Sequence, residues 1–202
     1  MMKRFILTAV LGLALPLAAF ADEVWVDDNN GTLVGNAAGL SLTSNLVEIG
    51  PIAGYAGFKG ADIGTMSITT GALMSGNLVD GGVFNFVSST FTITIDPGIF
   101  PKLPQGGVVF SGSFTVPISW NPSYEGPGYY QLFGRVAGKW WNGLNGFGFT
   151  VQDYFGTFNA SGTFTGKLGA GQSALNPEPG TLLLLGTGLV GVAGMVRKKL
   201  KA

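Results

Sequence analysis

The central part of this chain is predicted to be all-β: an antiparallel β-sandwich, jelly-roll-like, over residues 22–165, followed near the C-terminus by one transmembrane helix. Two observations predict the sandwich. Apolar residues alternate with small polar ones over several short runs, which is the period of a half-buried strand. Clusters of Gly and Pro separate the runs, and no stretch between 22 and 176 carries a helical apolar period. Many strands with one wet face imply two antiparallel sheets packed together.

In chain order, Val24–Val26 reads as a short strand closed by a solvated turn at Asp27-Asp28-Asn29-Asn30-Gly31. Oxygen ligands cluster in that turn, but an EF-hand spacing would place an acid where Val26 stands, so no metal is assigned. The glycine-rich stretch Gly31–Gly64 reads as short strands around Leu40–Ile49 and then a long loop. Phe91, Ile93 and Ile95 alternate with Thr90, Thr92 and Thr94, which predicts a strand with its aromatic edge inward. Val108, Phe110, Phe114 and Val116 share one parity and are predicted to share one face. Tyr154, Phe158, Ala160 and Phe164 do the same against Thr157, Asn159, Ser161, Thr163 and Thr165. Asp80-Gly81-Gly82, Asp96-Pro97-Gly98, Gly106-Gly107 and Gly126-Pro127-Gly128 mark turns. Residues 166–176, rich in Gly and small side chains, read as a flexible linker.

The two ends are of a different kind. Lys3 and Arg4 precede an apolar run from Phe5 to Phe20, and Ala19-Phe20-Ala21 fits a small-residue cleavage site. Residues 1–21 are therefore expected to be a signal peptide, cut by signal peptidase to leave Asp22 first. At the other end, Pro177-Glu178-Pro179 precedes an uncharged apolar run, Thr181–Val196, and a basic end of Arg197, Lys198, Lys199 and Lys201. The prolines favour an extended triplet. The run gives ~24 Å of helix at ~1.5 Å per residue, short of a ~30 Å hydrocarbon core unless the bilayer thins and the basic residues snorkel. The positive-inside rule places the basic end in the cytoplasm. Thr187, Gly191 and Gly194 give that helix a small-residue face where a partner helix can approach.

Triplet, apolar run and basic end, in this order over residues 177–202, resemble the PEP-CTERM sorting tail of Gram-negative bacterial surface proteins. The resemblance implies an exosortase-type processing enzyme as partner, a membrane-anchored precursor in the inner membrane, and delivery to the cell surface or extracellular matrix. It also implies an association with exopolysaccharide and biofilm.

Composition narrows the chemistry. The chain has no cysteine and no histidine, so it has no disulfide, no Ser-His-Asp triad, no thiolate nucleophile and no usual zinc site. Charges balance overall at 11 basic and 11 acidic residues. Between 22 and 176 only Lys59, Lys102, Arg135, Lys139 and Lys167 face ten acids, a surface unsuited to nucleic acid. No cofactor motif is present in the sequence. Tyr129-Tyr130 and Trp140-Trp141 are adjacent pairs in strand-like surroundings, so one ring of each is expected inside and the other outside. With Trp120 these rings are candidate glycan contacts. The expectation is a non-enzymatic exported surface or matrix protein. A carbohydrate-binding module using those aromatics is the alternative, and a surface polysaccharide hydrolase with paired carboxylates the second alternative.

Overall fold

The computed structural model describes residues 24–52 and 55–177. The signal segment with Ala19 and Ala21, and everything after Pro177, lie outside the described residues, so the expected helix 181–196 and its basic end do too. Among the described residues no helix is long and apolar enough to cross a membrane.

Eleven strands form among these residues: β1 (Val24–Asn36), β2 (Gly39–Ile49), β3 (Phe58–Thr69), β4 (Leu73–Asn77), β5 (Gly81–Phe84), β6 (Thr90–Ile95), β7 (Gly107–Phe114), β8 (Ile118–Pro122), β9 (Tyr129–Trp140), β10 (Asn145–Phe158) and β11 (Phe164–Pro177). The all-β expectation holds, and the two-sheet arrangement is corrected. Pairing runs continuously through one antiparallel sheet in the order β10-β11-β1-β2-β3-β6-β7-β9, and β9 pairs again with β10. The eight strands therefore close into a ring, which removes both edges. Closure depends on β9 being shared. Its C-terminal half, Val136–Trp140, pairs with β7, while Tyr130–Phe133 pairs with β8. β8, β5 and β4 continue from there as a three-stranded flap.

An eight-stranded ring is just wide enough for side chains to fill. Phe91, Phe110, Phe114, Trp120, Tyr154 and Phe164 are all buried there, with Leu33, Leu42, Leu46, Ile93 and Leu132. Phe164 lies against Trp120 (5.2 Å between ring centres), Tyr130 (5.3 Å) and Phe158 (5.1 Å). Truncating it leaves a cavity among rings that cannot collapse into it. Phe164→Ala is expected to cost ~3–5 kcal/mol. Phe133→Ala on the outer face should change stability by under ~0.5 kcal/mol. Urea midpoints compared at equal slope check both; equal losses in the two variants would reverse the assigned faces.

Three local expectations are corrected. Val108 and Val116 are exposed while Phe110 and Phe114 are buried: a bulge opposite Ile93–Thr94 inserts Val109 and reverses the parity of Val108, and Val116 lies beyond the end of β7. Asp27–Gly31 is not a solvated turn after a three-residue strand. It lies inside β1, where Asp28 keeps the inward parity of Val24 and Val26, and the irregular pairing between Asn29 and Thr32 then moves the inward positions to Gly31 and Leu33. Residues 166–176 are not a linker. They are most of β11, which pairs with β1 on one side and β10 on the other.

Candidate functional site

The predicted glycan-contact rings divide between the inside and the outside of the ring. Trp120, Tyr130 and Trp140 are buried, which corrects their assignment as contact residues. Trp120 stacks on Tyr130 at 4.9 Å and 4°, and its indole N–H donates to the Leu78 carbonyl at 2.9 Å. Trp140 lies against Phe110 at 5.0 Å. One ring of each adjacent pair does face outward, as strand geometry requires. Trp141 is half-buried because Phe100, from the connection between β6 and β7, covers it edge-on at 4.7 Å. Tyr129 is half-buried against Phe155 at 4.7 Å. The five rings do not form one surface.

A polar group that sequence reasoning missed sits inside the ring. Asp28 is buried beside Ser44, Thr150, Gln152 and Ser173. The Ser44 hydroxyl donates to Asp28 Oδ2 at 2.5 Å, and Gln152 Nε2 donates to Asp28 Oδ1 at 3.1 Å. Gln152 Nε2 also donates to Thr150 Oγ1 at 3.0 Å, and the Ser173 hydroxyl donates to the same oxygen at 2.8 Å. Gln152 Oε1 and the Tyr154 hydroxyl have no protein partner. Burial pushes the Asp28 carboxyl up to about 6, outweighing the bonds from Ser44 and Gln152 that favour its charge, and Asp27 adds to the rise. Burial raises the Tyr154 hydroxyl well above its ordinary range, helped by Asp28 and Asp153. Gly171 makes this arrangement possible: a Cβ there would run into Gln152 Oε1 and Asp28 Oδ1. Among the described residues no group of three or more acids, histidines or cysteines comes together to hold a metal.

Two grooves on the outside are notable among the described residues. One, of about 610 Å³, lies at the end of the ring formed by Asn36, Leu78, Phe158 and Asn159. Its asparagines are engaged in their own turns: Asn36 Oδ1 accepts from the Ala38 N–H, and Asn159 Oδ1 from Ser161 and Thr163. The other, of about 410 Å³, lies on the outer face of β9 and β10 and is lined by Phe133, Arg135, Phe147, Gly148, Phe149 and Asn176. Phe133, Phe147 and Phe149 are exposed there. The signal for Phe147 and Phe149 was in the sequence, since Tyr154 facing inward puts odd-numbered positions of an unbroken β10 outward.

At the end of β11 the fold meets the triplet. Pro177 is the last residue of that strand, paired with Gly146, so the triplet follows the ring with no spacer. Glu178, Pro179 and the small face at Thr187, Gly191 and Gly194 lie outside the described residues. Neither a curated protein nor a solved structure is similar to the chain. One family model matches, the PEP-CTERM protein-sorting motif, over residues 177–198. Its first residue is the last of the folded ring, so the chain carries a PEP-CTERM protein-sorting motif directly after β11, and that motif indicates an exported protein processed at the membrane by an exosortase-type enzyme.

Proposed function

We propose that this chain is a non-enzymatic surface or extracellular-matrix protein, whose β-ring is the delivered module and whose tail is the address, in association with exopolysaccharide or biofilm. The observation that carries the reading is the sorting motif at 177–198, which begins where β11 ends. Two features of the folded part support a structural role. Its deeply buried carboxylate, Asp28, is enclosed by Ser44 and Gln152 instead of lining a cleft. The larger groove offers asparagines already engaged by their own turns.

The test is the intact mass of the surface-exposed form. Export predicts an N-terminus at Asp22, and sorting predicts loss of the segment after the triplet. In a Glu178→Ala variant the full-length precursor should accumulate in the inner membrane while the ring still folds. If that variant matured and reached the surface at the normal rate, the triplet would not be a recognition element. A deletion strain with unchanged matrix cohesion would remove the biofilm role and leave the sorting route intact.

A further inference from the structure

Among the described residues, four of the six exposed aromatic side chains, Trp25, Phe133, Phe147 and Phe149, lie on the outer face toward the end of the ring that holds Pro177. Trp25 on β1 and Phe149 on β10 both pair with Ala174 of β11, one from each side, and Phe149 pairs in turn with Arg135 of β9. Trp25, Ala174, Phe149 and Arg135 thus form one row across four strands on the outer face. The next row toward the end is Asn176, Phe147 and Ala137, and beyond it Asn145 pairs with Lys139. Phe133, opposite Val151, flanks the first row on its other side. Trp25 is 46% exposed, Phe149 45%, Phe147 49%, Phe133 38%, and Leu144 in the β9–β10 turn 48%. These side chains stand in adjacent rows instead of singly, as a contact surface does.

Its position fixes what can cover it. Ala174 precedes Pro177 by three residues, so the aromatic row lies ~10 Å along the strand from the first residue of the sorting motif, at ~3.3 Å per residue. The motif, at 177–198, directs processing at the membrane. On the β9–β10 side, away from Asp27 and Glu48, the charge matches too. The folded part has few cations, yet Arg135 and Lys139 stand exposed on this face, with no ion pair between them and any acid among the described residues. Aromatic rings with Arg and Lys beside them are the composition of a surface that settles at the headgroup boundary of an anionic bilayer.

We infer that the outer face around Trp25, Phe147, Phe149, Arg135 and Lys139 is a membrane-docking face, which seats the ring on the anionic lipid surface from which the sorting tail projects. The inference rests on the sorting reading. Seating the ring holds the triplet at a set height over the bilayer, because no spacer between β11 and the triplet would otherwise let it swing there.

The absence of cysteine makes the test direct. The full-length chain is reconstituted into vesicles of phosphatidylethanolamine and phosphatidylglycerol, carrying a nitroxide at a single introduced thiol. Phe149→Cys probes the face. Tyr124→Cys, fully exposed in the loop before β9 and so at the opposite end, is the control. The Phe149 label should collide preferentially with lipid-soluble oxygen and the Tyr124 label with an aqueous nickel chelate. Adding Arg135→Glu and Lys139→Glu should shift the Phe149 label toward the aqueous pattern. A Phe149 label as aqueous as the Tyr124 label, in chains that float with the vesicles, overturns the docking face and leaves the tail's role standing. Chains that fail to float overturn membrane insertion of the tail, and the docking face with it. Label-to-label broadening at Phe149 would identify a second copy as the occupant and overturn the lipid assignment, as would shielding produced only by an added acidic polysaccharide.

Discussion

A fragment ending at Thr165, where composition alone places the end of the domain, is expected not to fold, whereas one ending at Pro177 is expected to fold cooperatively. The difference is strand β11. It pairs along its length with both β1 and β10, so deleting residues 166–177 opens the ring and bares two long strand edges. It also removes Leu168 and Leu175 from the core. Each such side chain contributes ~1.5–3 kcal/mol by burial alone. The remaining interior, including Phe164 and Leu33, would then lose its cover on one side. Against a typical total stability of ~5–15 kcal/mol, these losses exceed what one ring can sustain. Far-ultraviolet circular dichroism and urea titration of fragments 22–165 and 22–177 check this. A sigmoidal urea transition in the shorter fragment, with a midpoint close to the longer one's, would mean that β11 is dispensable.

Why this strand escaped a reading of the sequence is instructive. Gly166, Gly169 and Gly171, with small neighbours, have the composition of a linker. In the fold the glycines have steric work: at Gly166 a Cβ would run into the Phe164 ring, and at Gly171 into the Asp28 and Gln152 side chains. Small residues here mark crowding by partners distant in sequence, and composition cannot distinguish crowding from freedom. Alternation was legible where strands run without bulges. Phe91, Ile93 and Ile95 are buried as their spacing requires, and the inward Tyr154 fixes the outward Phe147 and Phe149 through an unbroken β10. It failed at bulges, because one inserted residue reverses every later side chain. Val108 was misassigned for that reason, whereas Asp28 follows the parity of Val24 and Val26 and was hidden by the turn-like composition of Asp27–Gly31. Closure into one ring depends on β9 pairing with β7, β8 and β10, and no local pattern announces a shared strand. The sorting motif was legible in full because it is read as a contiguous segment. The aromatic face beside it was not, since it is assembled from β1, β9 and β10 across long separations.

The interior carboxylate gives the second large effect. Asp28 titrates near its ordinary value of 3.8 in the unfolded chain and at about 6 in the folded one. Between those values the folded state holds the proton more tightly, so stability is greatest below pH 3.8 and falls as pH rises to about 6. The difference corresponds to about 3 kcal/mol at ~1.4 kcal/mol per unit. Other groups titrate nearby: Asp27 is raised by partial burial and by Glu48, whereas Glu48 is lowered by its bonds from Lys59 and Trp25. Comparison with Asp28→Asn separates Asp28 from them. The introduced amide keeps the shape and the Ser44 contact, and its N–H can donate to Gln152 Oε1, which has no protein partner in the parent. A protonated Asp28 can make the same bond, which is why the neutral acid suits this interior. Urea midpoints from pH 4 to pH 8 should therefore decline through the lower half of that range in the parent and stay nearly flat in Asp28→Asn. At pH 7 the variant should be at least as stable as the parent. An equal decline in both proteins would place the titrating group elsewhere. A large loss in the variant at every pH would mean that Asp28 is needed in its charged form, held by Ser44 and Gln152 as an ion whose desolvation is already offset by their hydrogen bonds.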